Sequence, residues 1–202
     1  MELAAVNEAL SGHIGGLVVE LGCGTGRLVA FLARRGFGVL GIDTSEGMLA
    51  VAATRARTHL VRADILHLPL PDAVADAAIA VATLEFTDAA AALAELARIT
   101  RPGGRIVVLA LNPRSPWGLL DRPGRRTPYS TATFLSRNDL RRLGRRHGRT
   151  RLQGRLFTAA HPGFLHHLEP LAAVLGRGVP WLGAVQVLVI DKQAGGGPCV
   201  SG

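Results

Sequence analysis

Apolar residues in the first half of the chain follow two alternating patterns. Short apolar runs bounded by acids, glycine or proline indicate buried strands, whereas apolar residues three or four positions apart indicate helices. Strands are predicted at 17–21, 38–43, 59–63, 75–83 and 105–111, and helices at 3–10, 27–35, 45–56 and 89–99. Because strands and helices alternate, the pattern predicts βαβ units and a parallel sheet covered by helices on both faces.

The second half of the chain is less regular. Residues 112–135 form a connection interrupted by proline and glycine, longer than a plain turn, and we expect a functional loop or lid there. A helix capped by Ser136 is predicted at 138–147, and late strands at 151–158 and 184–190. Together the elements predict a doubly wound, mostly parallel seven-stranded sheet in a single domain over 1–192. Within that domain, 112–135 and 159–182 are predicted to form the substrate or lid region. Residues 193–202 are predicted to be a disordered tail.

The stretch VVELGCGTG at 18–26 lies between the first strand and the first long helix. Its glycines allow positive φ angles and a close approach of the backbone to a ligand. The N-terminus of the following helix offers free N–H groups to an anion, and Glu20 can hold a cation beside it. A site for a cation beside a site for an anion suits a zwitterion such as an amino acid.

Two further acids end the second and third strands. Asp43 and Asp64 map to the same carboxyl edge of the sheet as the glycine turn, where open parallel sheets bind ligands. Asp43 can accept hydrogen bonds from both ribose hydroxyls. Asp64 can accept from an adenine amino group, and the amide of Ile65 can donate to a ring nitrogen. The pattern therefore fits an adenosine that carries an amino-acid tail.

A dinucleotide-binding dehydrogenase begins with the same strand, glycine turn, helix and acid. Its fingerprint G-x-G-x-x-G requires a third glycine at position 27, where this chain has Arg27. The dinucleotide interpretation also gives Asp64 no role, so we favour a methyl donor over a dinucleotide.

Five segments resemble the class I S-adenosylmethionine-dependent methyltransferases, specifically the type 11 group that includes quinone-biosynthesis enzymes. They are VVELGCGTG at 18–26, GIDTSEGML at 41–49, ADILHLPLPD at 63–72, AIAVATLEF at 78–86 and ELARITRPGGRIVVLAL at 95–111. The resemblance implies S-adenosylmethionine as the cofactor and methyl transfer to a small-molecule acceptor as the activity. It also implies a cofactor site made of Glu20, Gly22, Cys23, Gly24, Thr25, Gly26, Asp43, Thr44, Met48, Asp64, Ile65, Leu84 and Glu85.

The resemblance also implies which part of the cofactor each residue contacts. Glu20 and the glycine turn would contact the methionine end, and Asp43 the ribose. Thr44 and Met48 would flank the adenine, while Asp64 and Ile65 would bind its edge. Leu84 and Glu85 would lie near the methyl donor.

No catalytic base stands out in the sequence. Glu85 is the first candidate, although an ordinary cofactor contact explains it as well. Three late histidines, at 161, 166 and 167, lack carboxylates at a metal-ligand spacing, so no metal site is predicted. Aromatic residues of the long connection, Trp117, Tyr129 and Phe134, could contact an apolar acceptor or simply pack in the core.

The net charge of +8 is concentrated in one region. Residues 101–158 carry fourteen arginines against Asp121 and Asp139, whereas residues 1–100 carry seven arginines against eleven acids. Such a block can bind nucleic acid, but a solvated helix face or a GC-rich coding sequence explains it better. Methylation of RNA or protein through this block is therefore kept as an alternative, and a non-catalytic cofactor-binding subunit as another.

The remaining expectations concern the setting of the protein. Two cysteines make no disulfide framework, and neither a signal pattern nor a run long enough to span a membrane is present. We expect a cytoplasmic monomer or homodimer without a membrane partner. Only sixteen residues precede Leu17, fewer than the family commonly has. We therefore expect either an open pocket or a lid that comes from 112–135 or from a partner subunit.

Overall fold

The computed structural model describes residues 2–11, 16–112, 131–155 and 185–194. The described strands are β1 Leu17–Leu21, β2 Gly38–Asp43, β3 His59–Arg62, β4 Ala75–Val81, β5 Thr100–Leu111, β6 Arg149–Arg155 and β7 Val185–Asp191. The helices are α1 Glu2–Ala9, α2 Arg27–Ala33, α3 Glu46–Arg55, α4 Ala89–Ile99 and α5 Arg137–Arg145, with a turn of 3-10 helix at Leu84–Phe86.

All seven strands form one sheet in the order β3-β2-β1-β4-β5-β7-β6. The strands β1 to β5 run parallel, and β7 is antiparallel to both β5 and β6. The predicted doubly wound, mostly parallel fold is confirmed. Because the chain proceeds outward from β1 in one direction and from β4 in the other, the carboxyl ends of these two strands flank a crevice suited to a ligand.

The apolar runs of the central strands are buried because helices cover both faces of the sheet. On one face, α4 and α5 pack over side chains that include Val19, Ile106 and Leu188. On the other face, α1 and α2 pack over side chains that include Val18 and Val107. Alternate residues of one strand thus belong to opposite cores, as expected of strands buried on both sides.

Two predicted boundaries are wrong. The strand expected at 75–83 ends at Val81, because Ala82 adopts a φ of 48° that breaks the extended backbone. The Arg-Pro-Gly-Gly segment at 101–104 does not separate α4 from β5. Instead β5 already begins at Thr100, and the pairing of β4 with β5 skips register between Ala75 and Ala77 to accommodate this segment. A β-bulge absorbs such extra residues without ending a strand.

The other elements agree with the prediction to within a few residues, including the caps. Ser45, Asp88 and Ser136 each accept a hydrogen bond from the first turn of their helix. The predicted substrate or lid segments lie mostly outside the described residues, since 113–130 and 156–184 are not among them. The predicted disordered tail also lies outside them from residue 195 onward.

Candidate functional site

The glycine turn between β1 and α2 depends on three positive φ angles. Gly22, Gly24 and Gly26 have φ of 66°, 51° and 72°. A Cβ on Gly22 would lie 2.5 Å from Thr83 Oγ1, and one on Gly26 would lie 2.7 Å from Ala52 Cβ. A Cβ on Gly24 would meet nothing within 4 Å. Two glycines are therefore required by packing, whereas Gly24 leaves open space above the turn.

Glu20, the fourth residue of β1, is buried with a relative exposure of 3%. The backbone amide of Val29 donates to its carboxylate, while Oε2 is buried and has no partner within residues 2–11, 16–112, 131–155 and 185–194. Burial, and to a lesser degree the nearby Asp43 carboxylate, raises the pKa of Glu20 to about 8. A buried carboxylate oxygen without a partner is rare in folded proteins, so this position is a candidate for binding a cationic or hydrogen-bonding group.

Asp43, the last residue of β2, links the glycine turn to α3. Its Oδ2 accepts from the amide of Gly24 at 2.8 Å, and its Oδ1 accepts from the amide of Ser45 at 2.9 Å. Each carboxylate oxygen has a second lone pair, so Asp43 can still accept two hydrogen bonds from a ligand. Thr44 and Met48 lie exposed beside it, and Met48 has 45% of its surface accessible.

Asp64 and Ile65 follow β3 along the same edge. The exposed Asp64 accepts from the amide of Leu66 at 2.9 Å, which shapes the turn. The Ile65 side chain is buried in the core on the α4 side. Within the described residues, no acceptor lies in hydrogen-bond range of the Ile65 N–H. The turn therefore presents one carboxylate and one backbone donor at neighbouring positions.

A cleft of about 150 Å³ opens beside the glycine turn. Its walls are formed by the turn itself, by the start of α2 and by Val81 at the end of β4. Helix α1 closes one side of it, so the N-terminal segment does contribute to the pocket. The residues concerned are Glu2, Leu3, Val6, Glu20, Gly22, Cys23, Thr25, Arg27, Leu28 and Val81.

Cys23 occupies the turn as a small buried side chain. Burial and the carboxylates of Glu20 and Asp43 raise the pKa of its thiol to about 12. The thiol lies against the β2 backbone, since a Cβ on Gly41 would come within 3.0 Å of Sγ. A thiol held protonated in this way is a poor nucleophile, and its role is to fill space.

Leu84 and Glu85 follow β4 and are separated from this cleft. Leu84 is buried in the core on the α4 side. The Oε1 of Glu85 accepts from the amide of Leu111 at 2.6 Å, and its carbonyl oxygen accepts from the amide of Thr133 at 2.7 Å. Glu85 Oε2 is buried and has no partner in the part of the chain that the structure describes, and burial raises the pKa of this carboxyl.

Gln186 on β7 was not identified from the sequence. Its side chain is fully buried, and among the described residues neither its amide oxygen nor its amide nitrogen has a partner. The only sequence signal is one glutamine in the otherwise apolar run of β7 before Asp191. Such a residue is indistinguishable, by pattern alone, from a polar residue facing solvent.

Five arginines of the basic block form ion pairs with acids of the same chain. Arg105 binds Asp191 at 2.7 Å, and Arg151 binds the other oxygen of the same carboxylate at 3.0 Å. Further ion pairs join Arg101 to Asp76, Arg142 to Asp139 and Arg155 to Glu8. These contacts favour a structural role for that part of the block.

Two kinds of feature are absent from the described ranges. No group of three histidine, cysteine or acidic side chains there is arranged to hold a metal ion. None of the described helices combines the length and the apolar character needed to cross a bilayer.

Comparison with known proteins shows what part of the chain resembles. Residues 19–108 match the methyltransferase domain family. The chain is 42% identical over 103 residues to malonyl-(acyl-carrier protein) O-methyltransferase of Serratia marcescens, a match that covers 50% of this chain and 40% of that protein. It is 39% identical over 115 residues to demethylmenaquinone methyltransferase of Thermus thermophilus, covering 52% of each.

Residues 19–108 are therefore similar to the S-adenosylmethionine-dependent methyltransferases. A solved S-adenosylmethionine-dependent methyltransferase from Thermotoga maritima, described as a possible histamine N-methyltransferase, superposes with a TM-score of 0.75 at 27% identity. That match covers 95% of this chain and 87% of the other. The cofactor of the methyltransferase domain is S-adenosylmethionine. The chain spans about half the length of the curated relatives it matches.

The individual cofactor contacts stay predictions. The structure places Glu20, the glycine turn, Asp43, Asp64 and Ile65 along one edge of the methyltransferase domain. Leu84 and Glu85 lie beyond β4, outside the cleft that the turn lines.

Proposed function

We propose that this protein transfers a methyl group from S-adenosylmethionine to a small-molecule acceptor by in-line displacement. The observation that carries the proposal is the buried Oε2 of Glu20, without a partner, beside a cleft lined by the glycine turn. An unpaired buried carboxylate is costly, and the ammonium group of a methionine tail would remove that cost.

The proposed contacts would together span the cofactor from its amino-acid end to its adenine. Glu20 and the turn would hold the amino-acid end in the enclosed cleft. The two free lone pairs of the Asp43 carboxylate would accept from the ribose hydroxyls, and Asp64 with the Ile65 N–H would bind the adenine edge. Ligand pockets usually exceed roughly 300 Å³. The described cleft is smaller, so the nucleoside half would lie along the exposed edge near Met48.

Methyl transfer requires little of the protein beyond the alignment of donor and acceptor. When bound, the cofactor supplies an activated methyl group on a positively charged sulfur. The domain contributes fixed contacts that hold the two reactants in line, and such positioning is worth roughly 7–11 kcal/mol. Apolar side chains such as Val81 and Leu28 exclude water from the cleft wall. An oxygen acceptor additionally needs a group that takes its proton.

Two experiments test this function. Calorimetry should show binding of S-adenosylmethionine and of its demethylated product, and no binding of NAD; binding of NAD alone would refute the cofactor assignment. Transfer of a labelled methyl group into a cell extract should then place the label in the small-molecule fraction. Label in the RNA or protein fraction instead would favour the alternative based on the arginine block.

A further inference from the structure

Buried polar side chains are concentrated at one place in the fold. Among the described residues, five polar or charged side chains are buried, and three of them lie around the carboxyl end of β5. Gln186 pairs across the sheet with Ala110, the penultimate residue of β5. Glu85 binds the amide of Leu111, and Asn112 directly follows the strand. The cofactor contacts proposed above use none of the three.

Glu85 and Gln186 lie on opposite sides of β5. The amide of Leu111 points past the end of β4 toward Glu85, whereas Ala110 faces Gln186 on β7. Gln186 alternates with Leu188 and Ile190, which belong to the core beneath α4 and α5. Leu84, beside Glu85, belongs to the same core. Gln186 therefore faces the α4 and α5 side of the sheet, and Glu85 lies beyond the end of β4, on the other side of β5.

The cross-strand neighbours of Gln186 are small. They are Ala110 on β5 and Gly154 on β6. The Gln186 amide can donate and accept at the same time. An unsatisfied buried amide lowers stability, and an apolar side chain of the same size would avoid that loss. A buried glutamine with both amide atoms unpaired among the described residues is therefore a candidate for binding a ligand.

Two exposed aromatic side chains lie on the segments around Glu85. Phe86 and Phe134 expose 47% and 41% of their surfaces. They lie on segments that the Thr133 to Glu85 backbone hydrogen bond holds together. Large exposed aromatic side chains beside buried hydrogen-bonding groups are typical of small-molecule sites.

We propose that Glu85 and Gln186 bind the polar, methyl-accepting end of the substrate, and that Phe86 and Phe134 contact its apolar body. The substrate class is an apolar molecule whose uncharged polar end carries a hydroxyl group next to a carbonyl-type oxygen. Gln186 holds the carbonyl-type oxygen, and Oε2 of Glu85 accepts the hydroxyl hydrogen. This proposal rests on the function proposed above.

The proposed step balances without a further reactant. The hydroxyl proton passes to Glu85 Oε2 while the oxygen lone pair forms the new bond to the methyl carbon. The carbon–sulfur bond breaks, and its electron pair stays on sulfur, which becomes neutral. The Glu85 proton then returns to solvent. An acid with a raised pKa suits this role, since a base works best near the ambient pH.

The test combines stability with methyl transfer. Gln186→Leu should raise Tm by about 2–8 °C, because it removes an unsatisfied buried amide. The same variant should lose at least tenfold in transfer of labelled methyl groups to the small-molecule fraction of a cell extract. Gln153→Leu is the matched control, since Gln153 is exposed on the neighbouring strand β6 and should change neither quantity.

Glu85→Gln tests the proton acceptor. The variant keeps an oxygen for the Leu111 amide, so it should fold and bind S-adenosylmethionine with unchanged affinity by calorimetry. Its methyl transfer should fall about 10²–10⁴-fold.

Each other result has a distinct meaning. A lower Tm for Gln186→Leu would show that the amide is satisfied inside the protein, and a higher Tm with unchanged transfer would place it away from the acceptor; either result overturns the proposal. Unchanged transfer by Glu85→Gln overturns the assigned base. A wild-type protein that binds S-adenosylmethionine but labels no small molecule contradicts the proposed function, and this proposal with it.

Discussion

Protonation of Glu20 should couple cofactor binding to pH. Burial raises its pKa from an ordinary value of 4.5 to about 8. Between these values the folded protein holds a proton that the unfolded chain has released, so stability falls as pH rises through this window. Above pH 8, keeping Glu20 ionised costs about 5 kcal/mol relative to the unfolded chain. A bound ammonium group would offset much of that cost.

The affinity for S-adenosylmethionine should therefore depend on pH, with a defined sign. If the ligand's ammonium requires the ionised carboxylate, binding at pH 7 should release about 0.9 proton, given a pKa of about 8. The affinity for S-adenosylmethionine should rise about tenfold per pH unit between pH 5 and 7. Calorimetry in two buffers of different ionisation enthalpy measures both quantities.

A pair of variants separates Glu20 from general charge effects. Glu20→Gln should abolish the pH slope and the proton release, and should stabilise the protein at high pH. Glu2→Gln removes an exposed acid that lines the same cleft and should keep the slope. An affinity that is flat with pH in the wild type, or a slope that persists in Glu20→Gln, would refute the reasoning.

The remaining predictions concern the turn and its neighbours. Asp43→Ala should weaken S-adenosylmethionine binding by roughly 1.5–3 kcal/mol in calorimetry, because it removes charged acceptors; unchanged affinity would contradict the ribose assignment. Gly26→Ala should lower the free energy of unfolding in urea by about 2–4 kcal/mol, since φ is 72° and the new Cβ would lie 2.7 Å from Ala52. Gly47→Ala, in open space on α3, should instead raise the free energy of unfolding by about 0.5–1 kcal/mol. Equal effects of the two substitutions would show that the clash with Ala52 is not what destabilises Gly26→Ala. Cys23 in the folded protein should react with iodoacetamide at pH 8 on the order of a thousandfold more slowly than a free cysteine, because its pKa is raised to about 12. Peptide mapping checks this, and rapid native labelling of Cys23 would show that the thiol is not held protonated.

Features that depend on neighbours in sequence were predictable. The strand, glycine turn and helix at 17–33 follow from local preferences, and the caps Ser45, Asp88 and Ser136 act within their own first turns. The carboxyl edge was predictable too, because parallel strands align their ends. The order of strands and helices along the chain is therefore enough to bring the glycine turn, Asp43 and Asp64 to one edge of the sheet.

Features that depend on distant packing were decided only by the tertiary structure. The partner of Glu85 is an amide 26 residues away, and its burial comes from segments that the pattern does not connect. Gln186 has the same appearance in sequence whether its strand is exposed or central. Only the placement of β7 between β5 and β6 buries it. Local sequence thus determined the edge at which cofactor binding is predicted, whereas long-range packing determined which polar groups lost water and became candidates for binding the acceptor.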